Sequence, residues 1–225
     1  MPRLDIWLVE TGQFSSRQAA KRAIKDGYVI VNGKSCKPST QVSEKDKIEL
    51  LRNDADVPQG YTKLKELDER LQDSLVSNRY TVLDVGSSAG GFLIYLAEKG
   101  ANVVGIEISD RFSDELHTIV EKYPQISVIF TDAFEIDPLI ISDIGHLDLL
   151  LIDVTTEPEG TLKLIERFTP LLKIEGRMLA AFKTNSQSED IPLFKETISQ
   201  LGYKRMQTIV LDKTRQEVHI TALHL

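Results

Sequence analysis

Thr81-Val82-Leu83-Asp84-Val85-Gly86-Ser87-Ser88-Ala89-Gly90-Gly91 is the stretch whose reading decides the fold. An apolar run ends in an aspartate, passes through glycines and opens a helical stretch over 91–99. Glycines let a ligand approach the backbone, and a helix N-terminus favours polar or anionic groups. A dinucleotide fingerprint would place glycines at 86, 88 and 91, yet position 88 is Ser. Asp84, two residues before Gly86, gives the pattern acid-x-Gly-x-x-x-Gly-Gly instead. Asp84, Gly86, Ser88, Gly90 and Gly91 are the first candidate ligand-binding residues.

Outward from this loop the pattern alternates. Apolar strands are expected at 81–85, 102–106, 126–130, 147–152 and 177–182, with helices at 91–99, 113–122, 160–171 and 191–201 between and after them. Repeated βα units imply an α/β fold with a parallel sheet covered on both faces. The end breaks the alternation: 203–211 and 217–223 read as two strands joined by a polar turn, so the last strand runs antiparallel. In front of the sheet, Leu64, Leu67, Leu71 and Leu75 recur at helical spacing and predict an amphipathic helix over 62–77. Residues 53–60, polar and carrying Pro58 and Gly60, read as a linker between a head (1–52) and a body (61–225).

The head predicts helix, turn, helix and short strands. Leu4, Trp7 and Leu8 mark one apolar helix face, Gly12 ends that helix, and Ser15 or Ser16 can cap the next. The second helix turns Ala19, Ala20, Ala23 and Ile24 inward and Arg17, Lys21, Arg22 and Lys25 outward. Asn32-Gly33 is a hairpin turn, and Val42 and 48–50 supply further strand. Residues 1–52 hold ten Lys/Arg against six acids, whereas the rest holds 17 against 28. A basic head on an acidic body suits an anionic partner such as nucleic acid, although a plain solvated surface fits the same count.

Composition closes off other classes. The chain has 225 residues, 41% hydrophobic and 27% charged, an ordinary globular balance. No apolar run approaches the roughly 20 residues of a membrane span. The best candidate, 147–154, is cut by Asp148 and Asp153. Met1-Pro2-Arg3-Leu4-Asp5 has no apolar signal region, and the single Cys36 allows neither an internal disulfide nor a cysteine metal cluster. His117, His146, His219 and His224 show no metal spacing and read as surface or strand residues. The expectation is a cytoplasmic protein with no metal and no membrane partner.

The loop pattern at Asp84–Gly91 resembles the first motif of S-adenosylmethionine-dependent methyltransferases, Rossmann-like enzymes whose sheet ends in a β-hairpin. That resemblance implies S-adenosylmethionine as cofactor. Glu107, closing the second strand, is then placed to accept both ribose hydroxyls. Asp132, after the third, is placed to receive the adenine amino group, with Phe134 stacking nearby.

The groups after the strands bear on which atom is methylated, without excluding a base. Amine methylation of a base usually uses an Asp/Asn-Pro-Pro-aromatic segment after the fourth strand, where this chain has Asp153-Val154-Thr155-Thr156. Carbon methylation of a pyrimidine normally needs a cysteine nucleophile, and Cys36 lies in the head. A hydroxyl needs only a base, or a field favouring the developing alkoxide, in line with the methyl sulfonium. Lys63, Asp153, Lys183 and Glu217 offer such groups, and their order resembles the catalytic tetrad of FtsJ-type ribose 2′-O-methyltransferases.

The head resembles the ribosomal-protein-S4 type of RNA-binding domain, with its αL motif. Arg3-Leu4-Asp5, Leu8, Gly12, Ser16-Arg17, Ala20, Ile24, Gly27, Val31-Asn32-Gly33 and Asp46 carry the match. It implies that Arg3, Arg17, Lys21, Arg22, Lys25 and Lys34 line a phosphate-binding face, reading RNA by charge and shape. Head and body together resemble the TlyA, or haemolysin A-like, family. The resemblance implies methyl transfer to RNA, above all rRNA or a ribosomal subunit. Lys183 would act as general base or 2′-oxygen orienter, its pKa lowered by burial or cationic neighbours. Asp153 would position Lys183, and Lys63 and Glu217 would hold the ribose. The chain departs from the family on the substrate side, with Thr155-Thr156 after Asp153 and Thr184-Asn185 after Lys183. Competing readings are tRNA or base methylation on the same fold, and an RNA-binding factor without catalysis. Haemolysis finds no support: it wants a spanning segment or a cationic helix with bulky apolar anchors, and the basic helix here has alanines inside.

Overall fold

The computed structural model describes residues 1–14, 16–51, 57–185, 187–212, 214 and 216–225. They form two compact units, Met1–Gln59 and Gly60–Leu225. Of the expected linker, 53–56 lie outside the described residues, as does Ser15, the alternative helix cap.

In the first unit, α1 (Leu4–Glu10) and α2 (Arg17–Lys25) pack over a small antiparallel sheet of β1 (Val29–Val31), β2 (Lys34–Ser35) and β3 (Ile48–Leu50), ordered β2-β1-β3. Ser16 caps α2, its hydroxyl accepting the Ala19 N–H at 3.2 Å. Asn32 and Gly33 both have positive φ, 52° and 75°, as a two-residue hairpin turn of matching twist demands. Leu4, Leu8, Ala20, Ala23, Ile24, Val29 and Val42 are buried between helices and sheet.

The second unit opens within the first turn of α3 (Gln59–Arg70). It continues β4 (Thr81–Val85), α4 (Gly91–Glu98), β5 (Asn102–Glu107), α5 (Ser113–Lys122), β6 (Ile126–Phe130), β7 (Leu147–Ile152), α6 (Pro158–Phe168), β8 (Leu172–Phe182), α7 (Ile191–Gln200), β9 (Tyr203–Ile209) and β10 (Val218–His224). The seven strands are ordered β6-β5-β4-β7-β8-β10-β9. β4 pairs in parallel with β5 and β7, while β10 runs antiparallel between β8 and β9. The chain thus winds outward from β4 to one edge, then returns to the other side of β4. The strand order reverses there, and in such sheets ligands sit at the carboxyl ends of the strands flanking that reversal.

Side-chain alternation sorts the sheet into two apolar faces. Leu83, Val85, Leu150, Ile152, Met178 and Ala180 face Leu164 and Ile165 of α6 and Phe194 and Ile198 of α7. Val82, Val103, Leu149, Leu151 and Leu179 face Leu64 and Leu67 of α3, Leu93 and Leu96 of α4, and Leu116 and Ile119 of α5.

Several boundaries differ from the sequence expectation, and three bear on the packing. Gln59 and Gly60, expected in the linker, already belong to α3. That helix stops at Arg70, not 77: the Asp68 carboxylate accepts the Leu75 N–H at 2.5 Å and the Ser74 hydroxyl at 3.4 Å, folding the chain back. Leu75 is still buried, so its apolar spacing marks core without helix. β8 begins at Leu172, five residues early, because a register shift against β7, with Glu175 at φ 65°, lets an irregular strand pair further.

Candidate active site

Four charged side chains meet at one edge of the sheet. Asp153 directly follows β7, Lys183 directly follows β8, and Glu217 directly precedes antiparallel β10, so all three lie at the same end of neighbouring strands. By alternation Asp153 continues the row of Leu149 and Leu151, and Lys183 that of Leu179 and Ala181. That is the face α3 covers, and α3 carries Lys63.

The four form a closed ring of alternating charge. Lys63 Nζ lies 2.6 Å from Asp153 Oδ2 and 2.8 Å from Glu217 Oε1. Lys183 Nζ lies 2.8 Å from Asp153 Oδ1 and pairs with Glu217 Oε2. Each carboxylate therefore bridges both ammoniums, one oxygen to each. The side chains are 14 to 28% exposed. Two plus two charges leave no net charge, which is what makes such burial tolerable.

Burial pushes the Asp153 carboxyl up, but the Lys63 and Lys183 charges reverse this and hold it below the usual carboxylate range. Burial likewise works against Glu217, and His219, Lys183 and Lys63 outweigh it, holding Glu217 well below that range. For Lys183, burial pulls down, while Asp153 and then Glu217 pull up and win. The expectation of a lowered lysine pKa is thus reversed: with a carboxylate on either side, Lys183 is held as an ammonium.

The glycine loop lies beside the ring. At Gly86, with φ 92°, a Cβ would stand 2.6 Å from the Asp153 carbonyl oxygen, so only glycine lets β7 end there. At Gly91 a Cβ would stand 2.4 Å from the Tyr61 nitrogen and 2.7 Å from Gly60 Cα, so the first turn of α3 rests on the start of α4. The space over Gly90 holds Ile119. At all three, the missing side chain makes room for the chain itself. The loop is tied to β5, since Gly86 N–H and Ser87 N–H donate to the Ile106 carbonyl, and Ser88 N–H donates to Glu107 Oε2 at 2.7 Å.

Glu107 is 7% exposed and also accepts the Ser109 N–H, at 2.8 Å. Asp132 is half-buried and accepts the Phe134 N–H at 2.8 Å, while the Phe134 ring is exposed. Asp84 is fully buried, and among the described residues neither carboxylate oxygen has a hydrogen-bond partner. Burial pushes its carboxyl up to about 7, and the charges of Asp153 and Glu107 add to the rise.

Two residues here escaped the sequence reading. Ile108, an apolar side chain directly after a strand-end acid, is 67% exposed beside Glu107. His219, expected as a surface or strand residue, is 2% exposed on β10, with Nε2 3.3 Å from Glu217 Oε1.

In the first unit, three of the six expected RNA-binding cations converge on fully buried Asp5. Arg3 Nε approaches it at 2.9 Å, Arg17 at 3.2 Å and Lys21 at 3.9 Å. Burial pushes Asp5 up, and Arg3 and Arg17 more than offset it. Arg22 donates to the Val57 carbonyl at 2.6 Å. Lys25 and Lys34 are exposed and stand outside this cluster.

A doubly wound sheet with an antiparallel last insertion, a glycine loop at the strand reversal and acids at successive strand ends defines a Rossmann-like methyltransferase. Residues 57–198 match FtsJ-like methyltransferase and residues 2–48 match the S4 domain. The chain belongs to the FtsJ-like methyltransferase family, with an S4 domain in front, the order that the TlyA resemblance implies. No curated protein matches it. Among solved structures, Aeropyrum pernix fibrillarin, with natively bound S-adenosyl-L-methionine, is 20% identical with a TM-score of 0.61 and covers 80% of each chain. Methanococcus jannaschii fibrillarin, a pre-rRNA processing protein, is 18% identical with a TM-score of 0.62, covering 82% of this chain and 81% of its own. A hemolysin-like protein of Streptococcus thermophilus is 17% identical with a TM-score of 0.64 and spans both units, covering 99% of this chain and 88% of its own. These likenesses describe the fold. No helix among the described residues is long and apolar enough to cross a membrane.

Proposed function

We propose that this protein transfers a methyl group from S-adenosylmethionine to a ribose 2′-hydroxyl of RNA, with rRNA or a ribosomal subunit as substrate in the cytoplasm. The ring Lys63–Asp153–Lys183–Glu217 carries this reading. It is a compact, neutral set of donors and acceptors beside the loop where a methyltransferase holds its cofactor.

The residues present suit that cofactor. Asp84 is a buried carboxylate without a partner, as a site for a cationic ligand requires. Glu107 spends one lone pair of each oxygen on the chain, which leaves others for ribose hydroxyls. Ile108 and Phe134 offer exposed apolar surface for a flat base. When bound, S-adenosylmethionine supplies an electrophilic methyl on a sulfonium.

Lys183, kept as an ammonium, donates to the 2′-oxygen and stabilises the charge that develops on it. It cannot also accept the hydroxyl proton, which leaves through a ring carboxylate to water. Asp153 fixes Lys183, and Lys63 and Glu217 hold the ribose by hydrogen bonds. In the head, Arg3, Arg17, Lys21, Arg22, Lys25 and Lys34 meet RNA phosphates.

The test uses labelled S-adenosylmethionine and ribosomal subunits lacking their native methylations, followed by digestion and identification of the methylated nucleoside. A 2′-O-methyl nucleoside is expected. A base-methylated one sinks the ring argument, and no transfer to subunits or tRNA, with cofactor bound, leaves an RNA-binding factor.

A further inference from the structure

Beside the ring, β10 carries a buried polar row that the four charged residues do not account for. Glu217, His219 and Thr221 fall at alternate positions and share a face. His219 is 2% and Thr221 4% exposed, and the same face of the neighbouring strands is lined by Leu149, Leu151 and Leu179. Neither His219 nitrogen has a well-aligned hydrogen bond, so the imidazole is a costly guest where leucine would pack. Its backbone is held on both sides, opposite Ala181 on β8 and Ile209 on β9, and Ala181 leaves room for the ring. Nε2 lies 3.3 Å from Glu217 Oε1, the oxygen that also takes Lys63 at 2.8 Å.

We propose that His219 is a positioning residue: it steers Glu217 Oε1 onto Lys63, which leaves Oε2 for Lys183 and keeps the ring closed. The charged groups facing Glu217 from other elements are Lys63 on α3 and Lys183 after β8, with Asp153 across the ring. His219 approaches from the strand that Glu217 itself leads into. Without it, Glu217 can rotate and serve one lysine with both oxygens, and Lys63 loses half its hold. The inference rests on the ring being the catalytic centre.

The test compares wild type with His219→Gln, His219→Leu and His219→Asn. Gln places an amide N–H near the position of Nε2, Leu keeps the volume without the donor, and Asn keeps a donor that cannot reach. Initial rates are measured against both substrates. In parallel, 15N NMR of the lysine side chains reads the Nζ signals of Lys63 and Lys183, whose protons exchange slowly while locked in ion pairs. For Leu and Asn, kcat is expected to fall about ten- to a hundredfold, with KM for S-adenosylmethionine unchanged. The Lys63 signal is lost, and the melting temperature of the Leu variant is not lowered. Gln is expected to keep both rate and signal. Equal losses in Gln and Leu, or wild-type rate and an intact Lys63 signal in Leu and Asn, overturn the proposal. If wild type transfers no methyl, the catalytic reading falls, and the Lys63 signal still decides whether His219 holds Glu217.

Discussion

The ring at Asp153 and the cluster at Asp5 are built from the same parts, carboxylates ringed by cations, and do opposite things. Around Asp153 the charges balance, two against two, and the lysines are 14 and 28% exposed. Around Asp5 three cations share one carboxylate, and their side chains are 39 to 53% exposed. The first arrangement spends its charge internally. The second uses one buried anion as a frame and leaves a surplus of positive charge in water. Under the proposed function, stoichiometry and exposure, not residue type, would separate a reaction centre from a docking face.

The contrast breaks most sharply at Lys183. Lys183→Met is expected to lower single-turnover methyl transfer about 10³-fold while RNA and cofactor still bind. A variant that keeps a tenth of the rate removes the ring from the chemistry. Asp84 supplies a third case, an anion with no cation at all. Its raised folded pKa means that stability is lost as pH rises from about 4, the unfolded value, to about 7. Asp84→Asn should therefore stabilise the body at pH 8 by a few kcal/mol, little near pH 4, and weaken S-adenosylmethionine binding. Thermal melts at the two pH values, with a cofactor titration, check this. Unchanged stability at pH 8 would show that the Asp84 carboxyl is not raised in the fold.

At the open cluster the effects shrink. Asp5→Ala leaves its three cations solvated, not stranded, so the head should lose about 1–3 kcal/mol, read by melting. Arg17→Ala should lower the slope of log affinity for RNA against log salt by about 0.7–0.9, the share of one phosphate contact. An unchanged slope takes Arg17 off the RNA face. The smallest expected effect is none: with Lys183 held as an ammonium, kcat should stay flat from about pH 6 to 9. Depressed Asp153 and Glu217 lose their contribution only as pH falls below the usual carboxylate range, and raised Lys183 only as it climbs past 10.5. A tenfold rise per pH unit would instead mark Lys183 as the base.

Much of this was legible in the residues, because strand ends are periodic. Once 147–152 and 177–182 read as neighbouring strands, Asp153 and Lys183 fall at the same edge, and the terminal hairpin brings Glu217 there. The misses have physical causes. Val218-His219-Ile220-Thr221 alternates like a strand with one wet face, but β10 lies inside the sheet between β8 and β9, so both faces are dry. Leu71 and Leu75 continue a helical spacing that a turn satisfies equally well, since burial does not depend on how the chain gets there. The glycines also serve the packing of the chain, which sequence could not show because Tyr61 and Ile119 arrive from elsewhere in it.

The position of β10 also sets an order in time. Synthesis runs from the head to the C-terminus, and domains fold as units as they are completed. Until β10 is made and slides between β8 and β9, Lys63 and Lys183 have a single carboxylate between them. The two ends of the body must meet before the ring closes, a long-range pairing of the kind that forms late. If the ring is the reaction centre proposed here, a chain still lacking β10 has its cationic head before its body can act, and that strand completes the site.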